Sequence, residues 1–266
     1  MNFKQLVLGL ILILILGIIS ILIFADTWAE QKLITAIEEI EYLKYDSLDI
    51  QIAENRLELK GIKYDQSGIS IKANSLEVES LGIYKFLLTG VIPIDSLIIK
   101  GAKIELIKQS LNKLDDQNNI RSGKIPDFII LNLRIKNAGI ELRENLKDSA
   151  YARARFEVLI ENIDKESLKN PQSAFENFVF ASIDSIYFKT PNQLYIVEVD
   201  KINFEKKHDK LKIDSLRVWS IYDKYELGNQ LGYESDWMKI KVDSINSNLF
   251  SLTQLIKGHQ IQGIDF

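Results

Sequence analysis

Hydrophobic residues in this chain first run unbroken, then recur at helical spacing, then alternate. Residues 6–25, LVLGLILILILGIISILIFA, carry no charge at all. As a helix such a run measures ~30 Å, about the hydrocarbon thickness of a bilayer. A cleaved signal peptide has a shorter apolar region that ends in a small-x-small site. This run instead leads into FADTWAE, without Ala-x-Ala, and so predicts an uncleaved transmembrane anchor. Over residues 26–44, Leu33, Ile37, Ile40 and Lys44 share one helical face, with Asp26 or Thr27 placed to cap its start. That spacing predicts a juxtamembrane helix whose apolar stripe seats it on the end of the following domain, a seat on the membrane surface being the alternative.

From residue 45 the period becomes two. Leu48, Ile50 and Ile52 alternate with Asp49 and Gln51, and the same pattern holds for Leu57 with Leu59 and for Ile69, Ile71 and Ala73. Ile129, Leu131, Leu133 and Ile135 fall on one parity. Ala152, Ala154, Phe156, Val158 and Ile160 oppose Arg153, Arg155 and Glu157. One apolar and one polar face is the mark of antiparallel sheet. Further strands are predicted in LYIVEVDKINFEK, KLKIDSLRVWSIY and WMKIKVDSI. Short helices are predicted only around 80–89, within 161–178 and around 248–257. The expected fold is mainly β: a curved antiparallel sheet over 45–266 with a few short helices.

One phrase punctuates these strands. Asp-Ser-Leu or Asp-Ser-Ile occurs at 46–48, 95–97, 184–186, 214–216 and 243–245, each time after Tyr45, Ile94, Ile183, Ile213 or Val242. The flanking apolar residues are three apart, so a regular strand sends them to opposite faces. Burying both requires a kink, a bulge or a strand that begins at Asp-Ser, geometries that Asp and Ser stabilise by bonding nearby main chain. The phrase is read as a corner that starts each strand. A repeated acidic metal or catalytic site is the weaker reading, because such sites need clustered ligands.

A longer unit also recurs. Residues 71–99, IKANSLEVESLGIYKFLLTGVIPIDSLII, resemble 240–266, IKVDSINSNLFSLTQLIKGHQIQGIDF: strand, short amphipathic helix ending at glycine, new strand. The second copy stops at Phe266 as its last strand begins, which leads us to expect a continuation. The anchor at 6–25, the helix at 26–44 and LEVESLGIYKFLLTGVIPIDSLIIKGAKIEL together resemble the N-terminal region of the AsmA-like family, relatives of TamB and of the repeating β-groove lipid-transfer proteins. The likeness covers residues 1–110. It departs at Lys103 in GAKIEL, where a proline is common, and lacks the long C-terminal extension. The resemblance implies an anchored β-groove in the inner membrane, with its bulk in the periplasm, shielding phospholipid acyl chains.

Composition narrows the functions. The 266 residues carry a net charge of −4 and a pI near 5.4, which gives no basic footprint for nucleic acid. There is no cysteine, and the only histidines, His208 and His259, sit in turn-like surroundings. Neither a metal centre nor a cofactor is expected. Asp115-Asp116 lies in a polar linker. Trp219, Tyr222, Tyr225, Tyr233 and Trp237 crowd one stretch and are read as a packed corner beneath a long loop. No Gly-x-Ser-x-Gly elbow, Gly-rich phosphate loop or His-Glu-x-x-His is present, so an enzyme is not expected. Lys4 before the anchor, with Asp26 and Glu30 after it, places the N-terminus in the cytoplasm.

A strand face with little helical cover must hide against a second sheet, close into a barrel, or curl around something apolar. The alternation satisfies all three. The expected function is lipid transport or outer-membrane maintenance, the partners being membrane lipids and possible envelope proteins. Leu131, Leu133, Ile135, Ala152, Ala154, Phe156, Val158 and Ile160 are the candidate lipid-facing residues. An anchored β-sandwich scaffold without lipid cargo is the alternative.

Overall fold

The computed structural model describes residues 42–51, 54–66, 68–82, 91–108, 127–145, 147–164, 177–231 and 237–248, with isolated positions between 31 and 38 and at 85, 89, 166 and 167. Chain contacts divide it into Met1–Leu43 and Lys44–Phe266. In the first unit Gln31, Ile34, Thr35 and Glu38 are helical, and the Thr35 hydroxyl donates to the Gln31 carbonyl at 2.8 Å.

The second unit is built on one mixed, mostly antiparallel sheet. Its strands are β1 (Leu43–Lys44), β2 (Ser47–Gln51), β3 (Arg56–Gln66), β4 (Ile69–Leu81), β5 (Val91–Lys100), β6 (Lys103–Ile107), β7 (Asp127–Arg143), β8 (Ala152–Asp164), β9 (Phe178–Lys189), β10 (Tyr195–Glu205), β11 (Lys210–Ser220) and β12 (Lys239–Ser247). They lie in the order β1-β3-β4-β5-β7-β8-β9-β10-β11-β12, with β2 also on β3, and β6 between β4 and β7. β5 and β6 thus form one line, broken at Gly101, with both halves lying between β4 and β7. Neighbours in sequence are neighbours in space, as expected for a meander.

The expected all-antiparallel sheet needs one correction. β5 and β6 both pair with β7 in parallel, Leu97 against Leu133 and Ile104 against Ile140. Parallel neighbours demand a long crossover, and the polar linker after β6 supplies the length. Its residues 109–126, Asp115 and Asp116 among them, lie outside the described residues.

The recurrent phrase also takes a different place from the expected one. Four of its five copies lie inside strands β5, β9, β11 and β12, and only Asp46-Ser47 starts one. Where the phrase falls, the backbone turns left-handed. Ser185 has φ 54° and Ser215 φ 56°, each the middle residue of its own copy. In the other copies Asp faces a left-handed residue of the neighbouring strand. Ser80, at φ 56°, sits in the register gap opposite Asp95, and Ser215 sits opposite Asp243.

The consequence is clearest between β8 and β9. Arg153 pairs with Tyr187 and Arg155 with Asp184, so two residues of β8 span three of β9. This bulge places Asp184 and Ser185 together opposite Arg155. Ile183 then pairs with Phe156, while Ile186 falls beside Ala154, so both isoleucines face the side of β8 that holds Ala154 and Phe156. A second bulge does the same in β7, where Ile135 meets Val158 and Ala138 meets Phe156, with Asn137 at φ 51° between them. Left-handed residues at Gly61, Gly101 and Asn162 mark further breaks. The phrase is therefore a mid-strand bulge that keeps apolar residues three apart on one face.

Of the short helices expected, Lys85 and Thr89 are helical within 80–89, and Glu166 with Ser167 within 161–178. Residues 249–257 lie outside the described residues, as does the 6–25 run. Among the described residues no helix is long and apolar enough to cross a membrane. One helix was not anticipated: α1 (Lys224–Leu231). Asp223 caps it, its Oδ1 accepting from the amides of Tyr225 and Glu226 at 2.9 and 2.8 Å. Leu227 is fully buried.

Gly61 illustrates how tight the breaks are. At φ 62° an added Cβ falls 1.9 Å from Asp46 Oδ2. Gly61→Ala is expected to cost about 1–3 kcal/mol, while Ser185→Gly is expected to be neutral to within about 1 kcal/mol because glycine takes the left-handed region freely. Denaturant titration of the full chain measures both.

Candidate functional site on the two sheet faces

Because the bulges restore alternation after each break, one face of the sheet stays apolar across its width. One row runs Leu57, Val78, Leu97, Leu133, Ile160 through successive pairings. A second runs Ile183, Ile202, Ile213, Ile245, and a third Ile186, Val199, Leu216, Val242. Phe178, Ala181 and Phe204 are buried together with Val158, Ile160 and Leu211 packed on them, the two rings 5.6 Å apart at 35°. Most of this face is only half-buried. Leu133, Ile135, Phe156, Val158, Ile160, Ile183 and Ile186 all belong to that class.

Seven of the candidate lipid-facing residues lie on this face. Leu133 pairs with Ile160, Ile135 with Val158, Phe156 with Ala138, Ala154 with Ile140 and Ala152 with Leu142. Leu131 does not join them. It falls in the gap between the Ile130–Ile163 and Asn132–Glu161 pairs and is 43% exposed. Strict alternation put it in line with Leu133. The break at Asn162, φ 53°, instead brings Ile130 and Ile163 onto the apolar face, both of them buried.

The opposite face is polar, and four of its aspartates at the breaks are paired. Asp184 meets Lys201 at 3.7 Å, Asp200 meets Arg217 at 2.7 Å, Asp214 meets Lys212 at 2.9 Å and Asp243 meets Lys241 at 3.2 Å. Each pair is at least partly exposed, so each contributes at most about 1 kcal/mol. Among the described residues no three His, Cys, Asp or Glu side chains gather as a metal group.

This face also holds a cleft of about 670 Å³ over β6–β11. A charged row crosses its floor, Glu105, Glu141, Arg153, Tyr187, Glu198, Arg217, each residue register-paired to the next. Arg143 donates to Glu141 at 2.5 Å, and Glu141 with Glu105 nearby pushes the guanidinium's pKa up. The Arg217 guanidinium lies 3.4 Å from Glu198. The Nε atoms of Arg143 and Arg217 are shielded from solvent and find no acceptor. Sequence reading did not single out this cleft. Its residues share the polar parity of their strands, but which of them align depends on register.

The aromatic stretch 219–237 differs from the packed corner expected. Tyr225 is 82% and Trp237 41% exposed, and Leu227 provides the buried anchor. Trp237 Nε1 donates to the Tyr222 carbonyl at 3.1 Å. Tyr233 lies outside the described residues. His208 ends the exposed 3-10 turn Lys206–His208, and His259 lies outside the described residues. No known family model matches the chain, and no curated protein does.

One buried charge on the polar face sets an acid limit on stability. Glu77, 7% exposed, accepts from Lys100 Nζ at 2.6 Å and from the Ser75 hydroxyl at 3.2 Å. The Lys100 bond holds its carboxyl below the ordinary 4.5. A depressed folded-state pKa stabilises above the unfolded value and is lost as pH falls through the folded one. Glu77→Gln is expected to destabilise by about 1 kcal/mol at pH 7, a value kept low because Lys100 is 43% exposed. The gap between the two proteins should close as pH drops below 4.5, as read by thermal unfolding across pH.

Proposed function

We propose that the protein is a single-pass, inner-membrane-anchored, AsmA-like envelope protein whose apolar sheet face shields phospholipid acyl chains during transport or outer-membrane maintenance. The observation that carries this reading is the continuous apolar face, only half-buried, on one sheet with no second sheet packed on it among the described residues. Water contact at such a face is costly, and a bound acyl chain relieves it at about 0.8 kcal/mol per CH₂. The bulges support a curled, trough-like sheet, since each one increases local twist and bends its strand. The uncharged run at 6–25, preceded by Lys4 and followed by Asp26 and Glu30, supports a cytoplasmic N-terminus and a periplasmic bulk.

A scaffold reading, without lipid, draws on the exposed Ile221, Tyr225, Trp237 and Met238 around α1, from 40% to 82% exposed. Such side chains commonly mark protein contacts. Photoreactive residues at Leu133 and Phe156, in cells, are expected to capture phospholipid, while the same probe at Lys212 and Lys241 on the polar face captures none. Equal capture at all four positions, or recovery of protein adducts alone at Leu133 and Phe156, would overturn the carrier reading in favour of the scaffold.

A further inference from the structure

The cleft on the polar face has a floor with a gap in it. Gly139 of β7 pairs with Lys103 on one side and Arg155 on the other. With strands spaced about 4.8 Å apart, the two cationic residues spring from backbones roughly 10 Å apart, and no side chain stands between them. An added Cβ at Gly139 meets only the Ala154 carbonyl, at 3.8 Å, and its φ is outside the left-handed region. Glycine here is needed neither for a turn nor for close packing. What it does is leave the space above it open.

The cations around that space are held in place but unneutralised. Arg155 Nη2 donates to the Ser185 hydroxyl of β9 at 2.8 Å, which fixes its head on the β9 side of the gap. The Arg153 guanidinium lies 5.0 Å from the centre of the Tyr187 ring, a cation–π contact that fixes its plane. Among the described residues neither arginine, nor Lys103, is paired with a carboxylate. The other cleft arginines contrast with them, Arg143 being joined to Glu141 and Arg217 to Glu198 and Asp200. The cleft also holds acceptors, Glu105, Glu198 and Asn137 among them. The cleft volume of about 670 Å³ suits a small molecule rather than a lone ion.

We propose that this cleft binds a phosphate-bearing polyol, its phosphate spanning the gap at Gly139 between Lys103 and the Arg155 and Arg153 side chains of β8, and its hydroxyls donating to the carboxylates of the cleft. Planar guanidinium groups match phosphate oxygens, and carboxylates accept from hydroxyls. The site lies on the face opposite the acyl-chain surface, so its occupancy is independent of the carrier reading. The phosphate can belong to a free polyol phosphate or to the headgroup of a lipid reaching the polar face.

Isothermal titration of the full chain in neutral detergent tests this, with sn-glycerol 3-phosphate, short-chain phosphatidylglycerol below its micelle concentration, inorganic phosphate and glycerol as probes. Saturable binding of glycerol phosphate is expected, weaker binding of inorganic phosphate, and none of glycerol. Arg155→Gln and Arg153→Gln should each weaken binding about tenfold or more, the loss of a charged hydrogen bond. Gly139→Leu should abolish binding with the unfolding midpoint unchanged, and Lys212→Gln, outside the cleft, should change nothing. Binding of the short-chain lipid alone, lost in Arg155→Gln, assigns the phosphate to a headgroup, and binding of both probes assigns it to the free compound. No saturable heat with any phosphate probe, or affinity unchanged in both arginine variants, overturns the proposal.

Discussion

A β-strand alternates its side chains strictly, so it cannot place apolar residues three apart on one face unless its backbone breaks step. This protein breaks step repeatedly, and its two-faced sheet rests on that device. Ser185, Ser215, Ser80, Asn137 and Asn162 take left-handed backbone at ordinary, non-glycine positions, a conformation that costs about 1–2 kcal/mol per residue. The gain lies in register. After each break, Ile186, Ala138 or Ile163 returns to the side already occupied by Ile183, Ile135 or Ile160, and the apolar face continues across neighbouring strands. Without the breaks each long strand would turn its apolar residues to water halfway along.

The same device organises the polar side. In β9 the bulge places two small polar residues opposite one partner, and that partner is a cation. Asp184 and Ser185 together face Arg155, Asp184 also meets Lys201, and Asp200, Asp214 and Asp243 meet Arg217, Lys212 and Lys241. These exposed pairs add little stability. Their effect is local: they orient long side chains that otherwise sample many rotamers. Arg153 and Arg155 are held by a ring and a hydroxyl instead, which leaves their charge unspent beside the bare backbone of Gly139. A sheet with one apolar face thereby acquires on its reverse a concavity lined by side chains of both charges.

Burial is distributed in keeping with this architecture. Buried apolar side chains are scattered among the described residues, including Leu57 and Leu59 at β3, Ile130 and Ala138 at β7, Ile163 at β8, the Phe178–Phe204 cluster and Leu227 of α1. Between them the large apolar residues remain half-buried. A sheet with a second layer packed on it would bury these residues outright, because facing layers interdigitate at close-packed density.

Local sequence determined which residues face which way within a strand, and it did so wherever the backbone is regular. From Ala152 to Ile160 no break occurs, and the alternation read from the sequence is the one observed, opposed to Arg153, Arg155 and Glu157. It also determined that the Asp-Ser phrase must bend the chain, since burying Ile183 and Ile186 together admits no straight strand. Tertiary structure decided the rest. Leu131 left the face its parity assigned because the break belongs to a row shared with Asp95 and Asn162, and a row is visible only once the strands are paired. The parallel junction of β7 with β5 and β6 depended on a crossover whose direction leaves no mark in residue type. Helix α1 hid in an aromatic stretch with weak helical spacing and is held by one cap and one buried leucine. The cleft lay beyond sequence reading for the same reason as the rows. Lys103, Gly139 and Arg155 stand far apart along the chain, and hydrogen-bond register alone brings them side by side.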